Sequence, residues 1–124
     1  MVAATAAARA DLPLFSNISS AAGAADERRS RSVLTADFAT SYEPLYEQSL
    51  ASAQKHQATV VESVQDAEPA SISGDRTTVT VLVFFTEHAT FGDGSAPTDR
   101  ALQYVLTMKD VDGTWLVDGT DAAH

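Results

Sequence analysis

The sequence predicts an α+β fold in which N-terminal helices pack on a curved antiparallel sheet of about four strands. Two observations support this. In the first half, apolar residues recur every four positions, at Leu34, Phe38, Tyr42 and Tyr46, which is the spacing of one helix face. From Ala58 onward the period changes to two, as in strands. A length of 124 residues fits a single domain over 1–124, with 1–57 mainly helical and 58–124 mainly stranded.

The helical half contains three predicted helices. An Ala-rich stretch from Val2 to Asp11 has high helix propensity, and Pro13 is expected to break or bend the helix that it forms. The segment 19–23 is small and flexible and predicts a loop. A second helix begins near Ala25. We expect it to end near Ser41, with Pro44 in the first turn of a third helix that ends near residue 56.

The stranded half begins with a predicted strand over Thr59–Asp66, and its extension to Ile72 is left open. A turn follows at 73–76. In the next strand Val79, Val81, Val83 and Phe85 lie on one face, and the other face is also partly apolar. Two apolar faces predict a central strand that is covered on both sides.

The last two predicted strands form a hairpin after a loop at 92–98. The core face of the first is formed by Leu102, Tyr104, Leu106 and Met108. Asp112-Gly113 predicts a tight turn, because glycine accepts the positive φ that such a turn requires. Trp115 and Val117 then share one face, where Trp115 is expected to pack under Phe38 or Tyr42.

Composition restricts the classes of partner. The chain carries 17 acidic and 8 basic residues, a formal net charge of -9, and no cysteine. This excess of negative charge repels phosphate backbones, so we expect no nucleic acid partner. The longest uninterrupted apolar run, Val81 to Phe85, is far shorter than the roughly 20 residues of a membrane-crossing helix.

Four segments, in order, resemble one bacterial family. They are Leu12-Pro13-Leu14-Phe15-Ser16, Leu34-Thr35-Ala36-Asp37-Phe38 with Tyr42, Val81-Leu82-Val83-Phe84, and Val111-Asp112-Gly113-Thr114-Trp115-Leu116-Val117. This set resembles the Mce-associated membrane proteins of actinobacteria. The resemblance implies a cone-shaped domain like nuclear transport factor 2, held outside the cytoplasm by one N-terminal membrane helix.

The same resemblance implies a function. The expected role is a non-enzymatic accessory or assembly domain of an Mce-type lipid or sterol transport complex at the cell membrane. Its partners would be Mce complex proteins or other envelope proteins. The anchor would lie upstream of Val2 as about 20 apolar residues. The family has no known catalytic residues, so the resemblance implies no catalytic, cofactor-binding or metal-binding residue in this chain.

Residue patterns also give little indication of a reactive site. Glu87 and His88 are neighbours on a strand and therefore point to opposite faces. His56 lies in a polar stretch and His124 is terminal, so no histidine pair has the spacing of metal ligands. Further weak patterns are a partial calcium loop at Asp110-Val111-Asp112-Gly113, a glycosylation acceptor at Asn17-Ile18-Ser19, and Gly92-Asp93-Gly94, which lacks the helix start of a phosphate site.

The alternative is a small-molecule-binding protein, or an isomerase or cyclase, of the same cone fold. Such an enzyme requires a carboxylate base facing a hydrogen-bond donor inside an apolar cavity. The candidate donors are Tyr42, Tyr46 and Tyr104, and the candidate bases are Asp37 and Asp118. Periodicity turns both aspartates away from the apolar faces, so we expect neither to meet a tyrosine hydroxyl. A third possibility is an apolar ligand held in the cone without catalysis, which is compatible with an accessory role in lipid transport.

Overall fold

A computed structural model, which describes residues 1–122, confirms the α+β fold class. His124 lies outside the described residues. The elements, in chain order, are α1 (Val2–Ser16), β1 (Ile18–Ser19), α2 (Ala24–Ser32), α3 (Ala36–His56), β2 (Ala58–Ile72), β3 (Thr78–Phe91), β4 (Thr98–Val111) and β5 (Thr114–Ala122).

The sheet is an antiparallel meander in the order β1-β2-β3-β4-β5. The predicted strands are present as β2 to β5. The fifth strand, β1, contains only two residues and pairs Ile18 with Val60 at the edge of β2. Between β4 and β5, Asp112 and Gly113 both have positive φ, at 52° and 86°. This confirms the tight hairpin, which requires left-handed backbone at both central residues.

Helix α1 continues through Pro13, so the expected break there does not occur. Its buried residues are Ala4, Ala8, Leu12 and Phe15, one stripe at helical spacing. Leu12 and Phe15 lie on either side of Pro13 and both belong to the main hydrophobic core. Their packing holds the last turn against the sheet, which offsets the hydrogen bond that proline cannot donate.

The boundary between α2 and α3 lies at residues 33–35, and the predicted break near Ser41 is wrong. The Thr35 hydroxyl caps α3 by accepting a hydrogen bond from the Phe38 N–H at 3.2 Å. Leu34 forms a parallel bridge with Val117 of β5. These contacts fix where α3 begins, and Pro44 lies inside the helix. Sequence periodicity gives no sign of this boundary, because a tertiary contact determines it.

The hydrophobic core lies between the helices and the inner face of the sheet. On β3 the inner residues Val79, Val81, Val83 and Phe85 are at most 2% exposed. On β4 and β5, Leu106, Met108 and Val117 are fully buried. Leu102, Tyr104 and Trp115 are half-buried and pack against this core. The predicted core faces of these strands are therefore confirmed.

The opposite side of the sheet, which we call the outer face, carries Thr80, Leu82 and Phe84 on β3 and Val105 on β4. The three apolar side chains are half-buried. They belong neither to the core nor to the hydrophobic residues packed against it. The expectation that elements of this chain cover β3 on both sides is therefore wrong for the described residues.

The cap at Thr35 gives a testable prediction. Its hydroxyl also donates a hydrogen bond of 2.6 Å to Asp118 Oδ1, which ties the start of α3 to β5. Thr35→Ala removes both hydrogen bonds and should lower the free energy of unfolding by about 1–2 kcal/mol in urea denaturation. Thr35→Ser retains the hydroxyl, so its free energy of unfolding should stay within about 0.5 kcal/mol of that of the original chain. Equal losses in the two variants would contradict this role.

Candidate functional site

Two carboxylates face each other on the inner face of the sheet. Glu62 of β2 and Glu87 of β3 are directly paired in the antiparallel register. Glu62 is only 7% exposed, and within residues 1–122 its Oε2 atom has no hydrogen-bond partner. Burial of a carboxyl group without full hydrogen bonding is costly. This pair is therefore the most unusual polar feature of the described chain.

Local structure positions the pair. The strand β1 ends before it reaches Glu62, and the Asn17 Oδ1 atom accepts the Glu62 N–H at 2.7 Å in place of a further strand residue. On the other side Glu87 is paired with Arg100 of β4. The Glu87 Oε1 atom accepts hydrogen bonds from Arg100 Nη2 at 2.7 Å and from Nε at 3.2 Å. Arg100 thus compensates one carboxylate of the pair and leaves the other to be neutralised by a proton.

The electrostatics follow from this arrangement. Burial, together with the charge of Glu87 and a hydrogen bond to it, raises the pKa of Glu62 to about 8, and Arg100 opposes this shift. Glu62 therefore retains its proton at neutral pH. Burial and then the charges of Glu62 and Glu87 also raise the pKa of Tyr104. Two adjacent carboxyl groups cannot both ionise cheaply in a buried site, so one proton is retained between them.

A cavity of about 570 Å³ lies beside the pair. It is bounded by α3, the start of β2 and the adjoining ends of β3 and β4. Glu87 and Arg100 line it, together with Tyr42 and His56. Glu62 is not among the residues that line the cavity. The cavity combines an ion pair with polar side chains and with apolar ones such as Ile18, Val60 and Phe91, so it is not a purely apolar pocket.

Glu87 and His88 point to opposite faces of the sheet, as predicted. Glu87 bonds to Arg100 on the inner face, while His88 Nδ1 lies 2.6 Å from Asp99 Oδ1 on the outer face. His56 contacts Asp93 at 3.3 Å. Each of these histidines has one carboxylate neighbour, and among residues 1–122 no three His, Cys, Asp or Glu side chains converge as a metal site would require.

The candidate tyrosines and aspartates engage other partners. The Tyr42 hydroxyl donates to the Phe15 carbonyl oxygen, and Asp118 accepts from Thr35. Asp37 is exposed. In the described part of the chain no hydrogen bond joins Asp37 or Asp118 to Tyr42, Tyr46 or Tyr104. The Asp110 Oδ1 atom accepts the Gly113 N–H at 2.8 Å, which is a turn contact.

Sequence reasoning missed Glu62, Glu87 and Arg100 as a group. One signal was present, since each acid occupies an inner-face position of an otherwise apolar alternation. Glu62 lies between Val60 and Val64, and Glu87 lies between Phe85 and Ala89. An acid at a core position requires a proton or a basic partner. The pairing of β2 with β3 was needed to show that the two acids meet.

The structure is similar to solved structures of secretion proteins. CagV of Helicobacter pylori, a VirB8 homologue of the type IV secretion system, matches with a TM-score of 0.75 and 8% identity over 98% of this chain and 96% of its own. An IcmL-like type IV secretion system protein of Legionella pneumophila matches with a TM-score of 0.71 and 14% identity, over 96% of this chain and 88% of its own.

The fold extends over nearly the whole chain. This chain has a VirB8-like fold, which is a form of the nuclear transport factor 2-like cone. A TrwG component of a type IV secretion system from Bartonella birtlesii is also similar, with a TM-score of 0.59 and 13% identity over 91% of this chain and 85% of its own. No known sequence family and no curated protein matches the chain. Identities this low establish the fold alone.

The resemblance to Mce-associated proteins is wrong, because the structural neighbours belong to a different family. Three of the segments that suggested it lie in the central strand, the last hairpin and the buried face of α1. Val81–Phe84 lies in the central strand β3, and 111–117 is the β4–β5 hairpin. Leu12 and Phe15 are buried in α1. The pattern of residues in these segments reflects core packing, and different families with this fold can share such a pattern.

The pKa of Glu62 predicts how stability depends on pH. In the unfolded chain Glu62 loses its proton near 4.5, whereas in the fold it keeps the proton to about pH 8. The folded state therefore binds more protons inside this window, and the free energy of unfolding falls as the pH rises through it. Glu62→Gln should remove this fall between about pH 6 and 8. At pH 8 the free energy of unfolding of the variant should exceed that of the original chain by more than about 1 kcal/mol.

Asp11 provides the matched control, since burial raises its pKa from 3.8 to about 6. Asp11→Asn should therefore flatten the pH dependence of the free energy of unfolding only below about pH 6, and should leave the fall between pH 6 and 8 unchanged. Urea denaturation at each pH measures the free energy of unfolding of both variants and of the original chain. A fall between pH 6 and 8 that persists in Glu62→Gln would show that Glu62 ionises normally.

Proposed function

We propose that this domain is a non-enzymatic assembly component of an envelope transport machine of the secretion type. The observation that carries the proposal is the likeness over nearly the whole chain to proteins described as type IV secretion components, with TM-scores of 0.75 and 0.71. The partners are envelope proteins. The proposal treats residues 1–124 as one domain that acts outside the cytoplasm.

The chemistry of the cone supports a structural role. An isomerase needs a tunable acid that faces its ligand, but Glu62 is not among the residues that line the cavity. Glu87 accepts a hydrogen bond from Arg100, and the Tyr42 hydroxyl donates its hydrogen bond to the Phe15 carbonyl oxygen. The hydrogen bonds between Glu87 and Arg100 join β3 to β4.

Charge supports a protein partner. At a net charge of -9 the chain repels nucleic acids and anionic lipid headgroups. None of the described helices is long and apolar enough to cross a membrane. A membrane anchor upstream of Val2 remains part of the proposal.

The proposal predicts that the protein resides in a large envelope assembly. In cells that make the native protein, detergent-solubilised membranes separated on a native gel should show it in a complex several times its own mass. Deletion of its gene should lower the amount of that complex. Recovery of the protein only as a free monomer or dimer would contradict the proposal.

Two variants separate assembly from catalysis. Glu62→Gln and Glu87→Gln each remove one carboxyl group of the inner-face pair while they preserve side-chain size. As replacements for the deleted gene, both should restore the complex and the transport that depends on it. Restoration of the complex without transport, by a variant that folds normally, would show that the carboxylates perform chemistry.

A further inference from the structure

The outer face of the sheet has an apolar centre that no other part of the described chain packs against. Leu82 and Val105 are directly opposite each other on β3 and β4, and Phe84 follows Leu82 on the same face. All three are half-buried by their neighbours in the sheet and stand outside the hydrophobic core. An apolar patch with a polar border, on a sheet face that no other part of the described chain covers, is a candidate interaction surface.

Exposed acids border this centre on both sides. On β2, Glu68 pairs with Leu82 and Asp66 pairs with Phe84, so both acids share the outer face. On β5, Asp121 pairs with Val105. All three carboxylates are exposed. Two basic side chains on the same face, Lys109 near the end of β4 and His88 beside Asp99, lie away from this row. The surface is therefore an apolar strip between two negative margins.

The dimensions of the strip match one structural element. Neighbouring strands lie about 4.8 Å apart, so Glu68 on β2 and Asp121 on β5 are separated by three spacings, or roughly 14 Å. An α-helix with its side chains measures about 10–12 Å across. A helix laid along the strands would place an apolar stripe on Leu82, Phe84 and Val105, and basic residues on its two flanks would reach the acids.

We propose that the outer face is a docking surface for a basic amphipathic helix of a partner protein. The inference rests on the proposed function and specifies its partner chemistry. A second copy of this chain is disfavoured because a symmetric contact would bring like-charged margins together. Burial of the apolar strip supplies the attraction, and the acids on its two margins set the position of the helix and exclude acidic partners.

A synthetic helix tests the proposal without knowledge of the natural partner. The probe is a labelled peptide of about 18 residues, or five turns, with leucine on one face and lysine on the flanks. Fluorescence anisotropy with the purified chain should show binding that weakens as salt is added. A peptide with glutamate in place of lysine should not bind. Equal binding of the two peptides would overturn the proposal.

Variants locate the site. Glu68→Lys combined with Asp121→Lys should weaken binding of the lysine peptide about tenfold. Asp37→Lys combined with Glu47→Lys makes the same change in net charge on exposed positions of α3 and should change affinity less than about twofold. Phe84→Ser should weaken binding about fivefold or more. Circular dichroism confirms that each variant is folded.

Two results would contradict the assignment. Equal losses in the two double variants would show attraction to net charge alone, without a defined surface. Conversion of a dimeric chain into a monomer by Phe84→Ser, seen in sedimentation, would assign the outer face to self-association. Neither result bears on the native-gel test of the envelope assembly, so failure of this inference is distinguishable from failure of the proposed function.

Discussion

The close contact between α1 and the inner face of the sheet is the constraint on which the remaining structure depends. Ala4, Ala8 and Leu12 have no exposed surface, and Phe15 is 3% exposed. The small side chains of Ala4 and Ala8 let the helix backbone approach the strands. Further along the helix, the larger side chains of Leu12 and Phe15 fill the space between helix and sheet. This contact buries the inner residues of three strands at once. It also leaves the outer face to be covered, if at all, by another molecule.

The elements that the sequence predicts well are those with strong periodicity. Val79, Val81 and Val83 indicate β3, and Asp112-Gly113 indicates the last turn, because both signals are local. Helix boundaries are predicted less well. Pro13 and Pro44 lie within helices, since packing on the sheet outweighs their local preference. The two-residue strand β1 is too short to have any periodicity.

The candidate site could not be predicted because it depends on register. Glu62 and Glu87 are separated by 25 positions in the sequence and meet only when β2 pairs with β3 in one alignment. A shift of β2 by one residue would move Glu62 to the outer face and separate it from Glu87. The buried carboxyl pair is costly, and the charge of Arg100 and a retained proton reduce that cost. The family assignment failed for a related reason, since core-packing segments are shared between families.

The most direct test of this account is the size of residue that α1 tolerates where it meets the sheet. Ala8 is fully buried, while Ala10 on the same helix is exposed. Urea denaturation of Ala8→Leu and Ala10→Leu measures the difference. We expect Ala8→Leu to lower the free energy of unfolding by about 1–3 kcal/mol, because the larger side chain overpacks the contact. Ala10→Leu should change the free energy of unfolding by less than about 0.5 kcal/mol. Equal values for the two variants would contradict the close packing of α1 on the sheet.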